Sequence, residues 1–201
     1  MTAGVTGIVL AGGASSRFGS DKLQATLDGR PLLARAIDAV GAISSEVLVV
    51  VAPGDERELP AARTGAPVRR VEDYERFGGP LVGLLAGLEA AREPLAIVAG
   101  GDMPTLSIDV LQMLIHELSR TESESEAAVL MRQGVLRPLP AALRNGAATQ
   151  AARRLLGEDE RSLRALIRDL RTRAIPEADW RSLDPTGETL RDVDTPEDLR
   201  R

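Results

Sequence analysis

Cysteine is absent from this chain, which excludes disulfides, a thiolate metal site and a cysteine nucleophile. Histidine occurs once. His116 falls in the amphipathic stretch Leu111-Gln-Met-Leu-Ile-His-Glu-Leu118, where a surface or boundary place is the simplest reading, and one imidazole builds neither a histidine metal cluster nor a convincing Ser-His-Asp triad. Four aromatics (Phe18, Tyr74, Phe77 and Trp180) are too few for a base-stacking platform. A formal charge of −5 argues against a broad nucleic-acid surface. No apolar run approaches the length needed to span a membrane. The amino terminus carries no basic residue before Arg17 and enters a strand pattern at once, unlike a secretory signal. These absences lead us to expect a cytoplasmic protein with no nucleic-acid or membrane partner.

Lysine is the most informative scarcity. Of 25 basic residues only Lys22 is a lysine; the other 24 are arginine. Arginine presents a wide planar fork, lysine a compact charge on a flexible stem. The exception closes the segment Leu10-Ala-Gly-Gly-Ala-Ser-Ser-Arg-Phe-Gly-Ser-Asp-Lys22. Gly7-Ile-Val-Leu10 reads as a short buried strand. Gly12, Gly13, Ala14, Ser15, Ser16 and Gly19 then offer backbone N–H groups, while Arg17 and Lys22 add charge, and together they make a polyphosphate site. It is not a Walker A loop, because Asp21 precedes Lys22 and Leu23 follows it. Nor is it G-x-G-x-x-G, because Gly12 and Gly13 are adjacent.

Short apolar runs recur at Val5–Leu10, Val47–Val51, Leu95–Ala99 and Ala127–Met131, as expected for strands buried on both faces of a mostly parallel sheet. Helical patterns lie between them. Pro31 opens one, with Leu33, Ile37 and Val40 on a face; Pro80 opens another, with Leu81, Leu84, Leu85 and Leu88; a third starts near Ser107. Beyond residue 132 we expect a strand at Leu136–Leu139, helices at Ala141–Leu156 and Ser162–Leu170, and a last strand at Arg173–Ile175. Asp184-Pro-Thr-Gly187 reads as a turn. The alternation predicts a three-layer α/β/α sandwich with a mostly parallel, Rossmann-like sheet. The 201 residues fit one domain, with 1–131 as its nucleotide-binding part and 132–201 shaping the acceptor side.

Ile97-Val-Ala-Gly-Gly-Asp-Met-Pro-Thr105 puts Asp102 just past the carboxyl end of a predicted parallel strand, the edge where such sheets bind ligands. The adjacent glycines leave room there for a hydrated cation and a phosphate oxygen, and hydrated Mg2+ needs only one or two carboxylates.

The loop to Lys22 resembles the L-A-G-G-x-S-x-R-[MF]-G-x-D-K signature of nucleotidyltransferases of the nucleotide-diphospho-sugar transferase type, and within them most resembles the molybdenum cofactor guanylyltransferase family. The segment around Asp102 resembles that family's C-D-M-P motif, with Gly101 in the cysteine's place. Val71-Glu-Asp73 followed by Gly78-Gly-Pro-Leu-Val-Gly83 resembles its E-D…G-P-L-A-G element, although alone it is also an ordinary loop entering a helix. Arg191-Asp-Val-Asp-Thr-Pro-Glu-Asp-Leu199 resembles its terminal N-[IV]-N-T-P-E-[DE]-L, with Asp192 and Asp194 replacing asparagines. Thr195, Pro196 and Glu197 start a helix well in any protein. The resemblance implies nucleotide contacts from Leu10, Ala11, Gly12, Gly13, Ser15, Lys22, Asp73, Gly79, Gly83 and Asp102. It implies Arg17, Lys22 and Asp102 as catalytic residues, and Asp102 with Asp194 as Mg2+ ligands, Asp192 being the other candidate for the second place. The family often carries asparagine after the second strand's apolar run; the aligned position here is about Val50.

The implied reaction is transfer of GMP from GTP to the terminal phosphate of molybdopterin or Mo-molybdopterin, with transient contact to molybdoenzymes or other cofactor-synthesis proteins. A phosphate monoester already carries nearly two charges at neutral pH, so this nucleophile needs no general base. The difficulty is bringing it to a second polyanion, which Lys22, Arg17, loop N–H groups and an Asp102-bound Mg2+ would ease. Two rivals stay open: a cytidylyltransferase or other nucleotidyltransferase for a phosphorylated small molecule, and a non-catalytic nucleotide- or cofactor-delivery module. Asp21 before the lysine, where related cytidylyl enzymes often carry proline, favours the guanylyl branch.

Overall fold

The computed structural model describes residues 4–12, 18, 21–75, 78–120 and 124–200. Its centre is a seven-stranded sheet. In chain order its strands are β1 (Val5–Leu10), β4 (Glu46–Val51), β5 (Val68–Glu72), β6 (Leu95–Gly100), β7 (Ala127–Arg132), β8 (Val135–Arg144) and β9 (Thr172–Ile175), while β2 (Thr26–Leu27) and β3 (Arg30–Pro31) form a separate small hairpin. The spatial order is β5-β4-β1-β6-β8-β7-β9. β1 pairs in parallel with both β4 and β6, and β4 with β5. β8 runs antiparallel to both its neighbours, and β9 is parallel to β7.

The helices are α1 (Leu32–Gly41), α2 (Pro80–Ala90), α3 (Ile108–Ser119), α4 (Asn145–Gly157), α5 (Leu163–Asp169) and the single turn α6 (Glu177–Trp180). Alternate residues of the central strands feed two separate cores. Val47, Val49, Val51, Leu95, Ile97 and Ala99 pack with α1 and α3. Ile8, Val50, Ala96 and Val98 pack on the other face with α2, α4 and α5. Strands with apolar side chains on both faces require helices on both faces, hence the three layers. Ser107 and Ser162 start α3 and α5 by accepting from the Val110 and Arg164 N–H groups, at 3.4 and 3.1 Å. Among the described residues no helix is long and apolar enough to cross a membrane.

The second half differs from expectation in one large respect. Ala141–Arg144 continue β8 and the helix begins only at Asn145. Ala and Leu favour helix locally, but Ala142 pairs with Ile97 of β6 on one side and Ala128 of β7 on the other, and it is fully buried. Two ladders and complete burial outweigh a propensity of a few tenths of a kcal/mol. β8 also begins earlier than expected. Gln133 and Gly134, both at positive φ, join the paired residues Arg132 and Val135 in a two-residue hairpin turn. Strand β5, with three charged residues among its five, had no apolar run to announce it.

Helix α2 lies unusually close to the sheet. A Cβ at Gly87 would meet Ile8 Cγ2 at 2.8 Å and Val50 Cγ2 at 3.1 Å. Gly87→Ala should lose stability despite a helix-propensity gain of about 1 kcal/mol, because overpacking costs about 1–3 kcal/mol. Gly146→Ala in α4, with open space around its Cβ, should lose none. Urea unfolding of both variants checks the pair; equal behaviour would contradict the close packing of α2.

Candidate active site

Parallel pairing brings the carboxyl ends of β4, β1 and β6 to one edge, and a cavity of about 400 Å3 opens there. Its lining includes Leu10, Ala11 and Gly12 after β1, Lys22, Val50 at the end of β4, Asp73 after β5, Gly79 and Gly83 at the start of α2, and Asp102 after β6. The structure thus gathers candidates that are far apart in sequence. Arg17, Gly13 and Ser15 lie outside the described residues. The loops are tied across the edge: the Ala11 N–H donates to Val50 O at 2.7 Å, and the Gly101 N–H to Leu10 O at 2.9 Å.

Lys22 opens a short 3-10 helix, Lys22–Gln24, capped by the Asp21 carboxylate, which accepts from the Leu23 N–H at 3.2 Å. Arg57, in the loop after β4, donates to Asp21 at 3.3 Å while holding Asp55 at 2.8 and 3.0 Å. The Leu23 side chain is buried. The backbone that presents Lys22 is therefore anchored on both sides. Its ammonium donates to Asp102 Oδ2 at 2.8 Å and to Asp194 Oδ1 at 3.1 Å. Burial opposes the charge on Lys22, but the Asp102 and Asp194 carboxylates outweigh it and hold the pKa above the ordinary lysine value.

Asp194 reaches this place because the carboxyl-terminal segment docks on the loop after β6. The Val193 N–H donates to the Asp102 carbonyl at 3.0 Å, and Val193 itself is fully buried. Upstream, the buried Asp184 organises the turn at 184–189, accepting from the Gly187, Glu188 and Thr189 N–H groups at 3.0, 3.2 and 2.7 Å. Thr105 and Ser107 then bond that turn at 2.8 and 3.0 Å. Downstream, Asp198 accepts from the Asp194 and Thr195 N–H groups at 3.1 and 2.9 Å. Asp192 is an exposed residue close to Asp102 and Asp194. Desolvation first, then the negative charges of Asp102 and Asp194, push its pKa up to about 6, against the pull of Lys22 and Arg137.

Asp73 sits over the amino-terminal turn of α2, where a Cβ at Gly83 would meet its Oδ2 at 3.0 Å. Desolvation raises its pKa, and the nearby Glu75 carboxylate adds to that, while the Glu75 and Tyr74 N–H groups oppose it. Gly79 takes φ +93°, a conformation only glycine adopts easily, with Arg161 against it. Arg161 donates to the Gly78 carbonyl at 3.0 Å and to Glu75 at 2.7 Å, fixing this wall of the cavity. Leu139 and Leu163 complete it. Sequence reading missed Arg57, Arg161, Leu139 and Leu163, because none sits in a motif and each acts from an element remote in the chain.

Lys22 is the one cation among the described lining residues, and Asp73 and Asp102 are the acids among them. Among the described residues no group of three or more carboxylates and imidazoles is placed to hold a metal. Two carboxylates sharing one ammonium are the donor set a hydrated Mg2+ asks of a protein when phosphate oxygens fill the rest.

A parallel sheet with glycine turns, a lysine and a carboxylate at its switch-point edge defines the class: an α/β nucleotidyltransferase. The chain belongs to the family described as MobA-like NTP transferase domain, which matches residues 7–175. Asp192 and Asp194 fall beyond that match. It is 33% identical over 202 residues to a probable molybdenum cofactor guanylyltransferase of Chloroflexus aggregans, covering 98% of this chain and 92% of the relative. It is 36% identical over 172 residues to a molybdenum cofactor guanylyltransferase of Burkholderia vietnamiensis, covering 82% of each. The molybdopterin-guanine dinucleotide biosynthesis protein A of Archaeoglobus fulgidus shares the fold with a TM-score of 0.79 at 22% identity, over 98% of this chain and 95% of that one.

The Asp184 turn holds the segment that carries Asp194, so its energetics are testable apart from catalysis. Burial opposes ionisation of Asp184, but the Thr189 and Glu188 N–H groups and the Thr189 and Thr186 side chains hold its pKa below the ordinary value. Its contribution is therefore complete above the unfolded pKa of about 4 and is lost as pH falls through the lower folded value. Asp184→Asn should cost about 1–3 kcal/mol at pH 7, and the gap to wild type should narrow below about pH 4. Urea midpoints across pH would show it; a gap independent of pH would assign the loss to shape and not charge.

Proposed function

We propose that this enzyme transfers GMP from GTP to the phosphate of molybdopterin, with or without molybdenum, in the cytoplasm. An acceptor phosphate oxygen attacks the α-phosphorus of GTP, the bond to the β-phosphate bridging oxygen breaks, and pyrophosphate leaves. The dinucleotide product would pass to molybdoenzymes or other cofactor-synthesis proteins. The observation that carries this reading is Lys22 set between Asp102 and Asp194 at the mouth of the β1–β6 crevice. The names of the relatives supply the guanine and the pterin.

The roles of the residues follow from charge. Two polyanions must approach each other, and the acceptor already carries its nucleophilic charge. Lys22 would bind phosphate oxygens between them, with Arg17 as a second cation. Asp102 and Asp194 would hold Mg2+, which when bound supplies charge neutralisation at the triphosphate. The Gly12 backbone approaches the phosphates, and Asp73 with Gly79 and Gly83 contacts the nucleoside. Asp192, with its pKa pushed up to about 6, is still mostly ionised at neutral pH and adds its charge to that of Asp102 and Asp194. Residues 1–131 then serve the nucleotide and 132–201 the acceptor.

A nucleotide panel with molybdopterin, followed by pyrophosphate release and dinucleotide formation, tests the substrate. GTP should be preferred over ATP and CTP. Val50 stands where the family often has asparagine, so tighter CTP binding would move the enzyme to cytidylyl transfer. Asp102→Asn should keep the fold and lose Mg2+-dependent turnover; a near-normal rate at limiting Mg2+ would remove Asp102 from its role. Lys22→Ala should cost about 10²–10³ in rate, and Lys22→Arg at least roughly tenfold, mostly in turnover. Full activity of Lys22→Arg would sink the requirement for a compact charge.

A further inference from the structure

The Lys22 ammonium lies between two carboxylates that arrive from the middle and from the carboxyl-terminal end of the chain, at 2.8 Å from Asp102 and 3.1 Å from Asp194. Those distances put the two carboxylate oxygens no more than about 6 Å apart, whereas oxygens sharing one Mg2+ each stand about 2.1 Å from it. The metal and the ammonium would therefore compete for one space and one pair of oxygens. We propose that Lys22 is a tethered placeholder for the divalent cation: it holds Asp102 and Asp194 together, and the arriving metal displaces it onto the triphosphate. The proposal rests on the reading of Asp102 and Asp194 as cation ligands and adds an order of events to it.

Three features carry the exchange. First, charge: without a cation between them, Asp102 and Asp194 repel each other, and the Lys22 side chain that separates them is only 15% exposed. Second, mobility is confined to the side chain. Asp21 caps the turn that starts at Lys22, and Arg57 holds Asp21, so only the flexible four-carbon stem has to swing. Third, chemistry: an ammonium is a point charge whose three donors re-aim by rotation, while a guanidinium is a fixed fork that would grip both carboxylates too firmly to release them. This gives a physical reason for the one lysine in a chain that otherwise uses arginine. Metal entry and delivery of Lys22 to phosphate become a single event, so the positive charge reaches the reacting groups only when the cation is in place.

Mn2+ alone, titrated by electron paramagnetic resonance without nucleotide, reads the competition directly. Lys22→Met should bind Mn2+ at least tenfold more tightly than wild type, and Lys22→Arg no more tightly than wild type. Equal or weaker binding by Lys22→Met, or no binding by it, overturns the placeholder. The double variant Lys22→Met/Asp102→Asn separates the two layers: if it binds as Lys22→Met does, the assignment of Asp102 as a ligand fails, whatever Lys22 does. A second readout uses the composition. Because Lys22 is the only lysine, protein labelled with 13C at the lysine ε carbon gives one resonance, which Mg2+ should shift in wild type. A resonance unmoved by Mg2+ that saturates the Mn2+ site would overturn the exchange.

Discussion

Parallel pairing of β1 on both of its sides is the constraint from which the rest of this site follows. Thr6–Leu10 pairs with Glu46–Val50 on one side and Val5–Leu10 with Leu95–Gly100 on the other, so the loops after β1, β4 and β6 emerge at one edge. The chain leaves β1 toward β4 and β5, then returns to the opposite side with β6, and the crevice opens where that direction changes. Every residue at the edge inherits its position from this arrangement. Val50 and Ala11 touch through a backbone bond, Gly101 bonds back to Leu10, and Asp102 follows within two residues of the strand end.

Onto this edge the carboxyl-terminal segment is docked by hydrogen bonds more than by burial. Val193 is its buried side chain, and the backbone bond from Val193 to Asp102 sets the register that places an aspartate on either side. The collected acids explain why one cation matters. Two arginines beside the cavity are committed elsewhere: Arg57 to Asp21 and Asp55, and Arg161 to Glu75 and Gly78. These planar, multidentate links brace loops, a task suited to a rigid fork. The compact charge is left to face the carboxylates.

Much of this was legible in the chain, and the exceptions share a cause. Val5–Leu10 and Leu95–Ala99 announced themselves because they are apolar on both faces. Asp102 was legible because glycines and a strand end frame it. Ala141–Arg144 was misread because a central strand built of alanine and leucine carries the same local signal as a helix, and only β6 and β7 on its two sides decide between them. Arg161 and Leu163 reach the cavity from beyond α4, and no spacing relates them to Gly79. Asp194 is recognisable in its motif, but nothing in residues 191–199 reveals the Lys22 ammonium 3.1 Å away.

Residue types and their order by themselves determined the layers, the glycine turns that bare backbone at a strand end, and the solitary lysine. These are local properties, set by periodicity, by the missing Cβ and by side-chain charge. Tertiary structure alone decided which acids share that lysine, that partial desolvation and the nearby Asp102 and Asp194 raise the Asp192 pKa to about 6, and that Arg57 and Arg161 brace the walls. Those depend on distances between segments up to 172 residues apart, and charge–charge coupling and desolvation are functions of distance and surroundings, which a linear order does not contain.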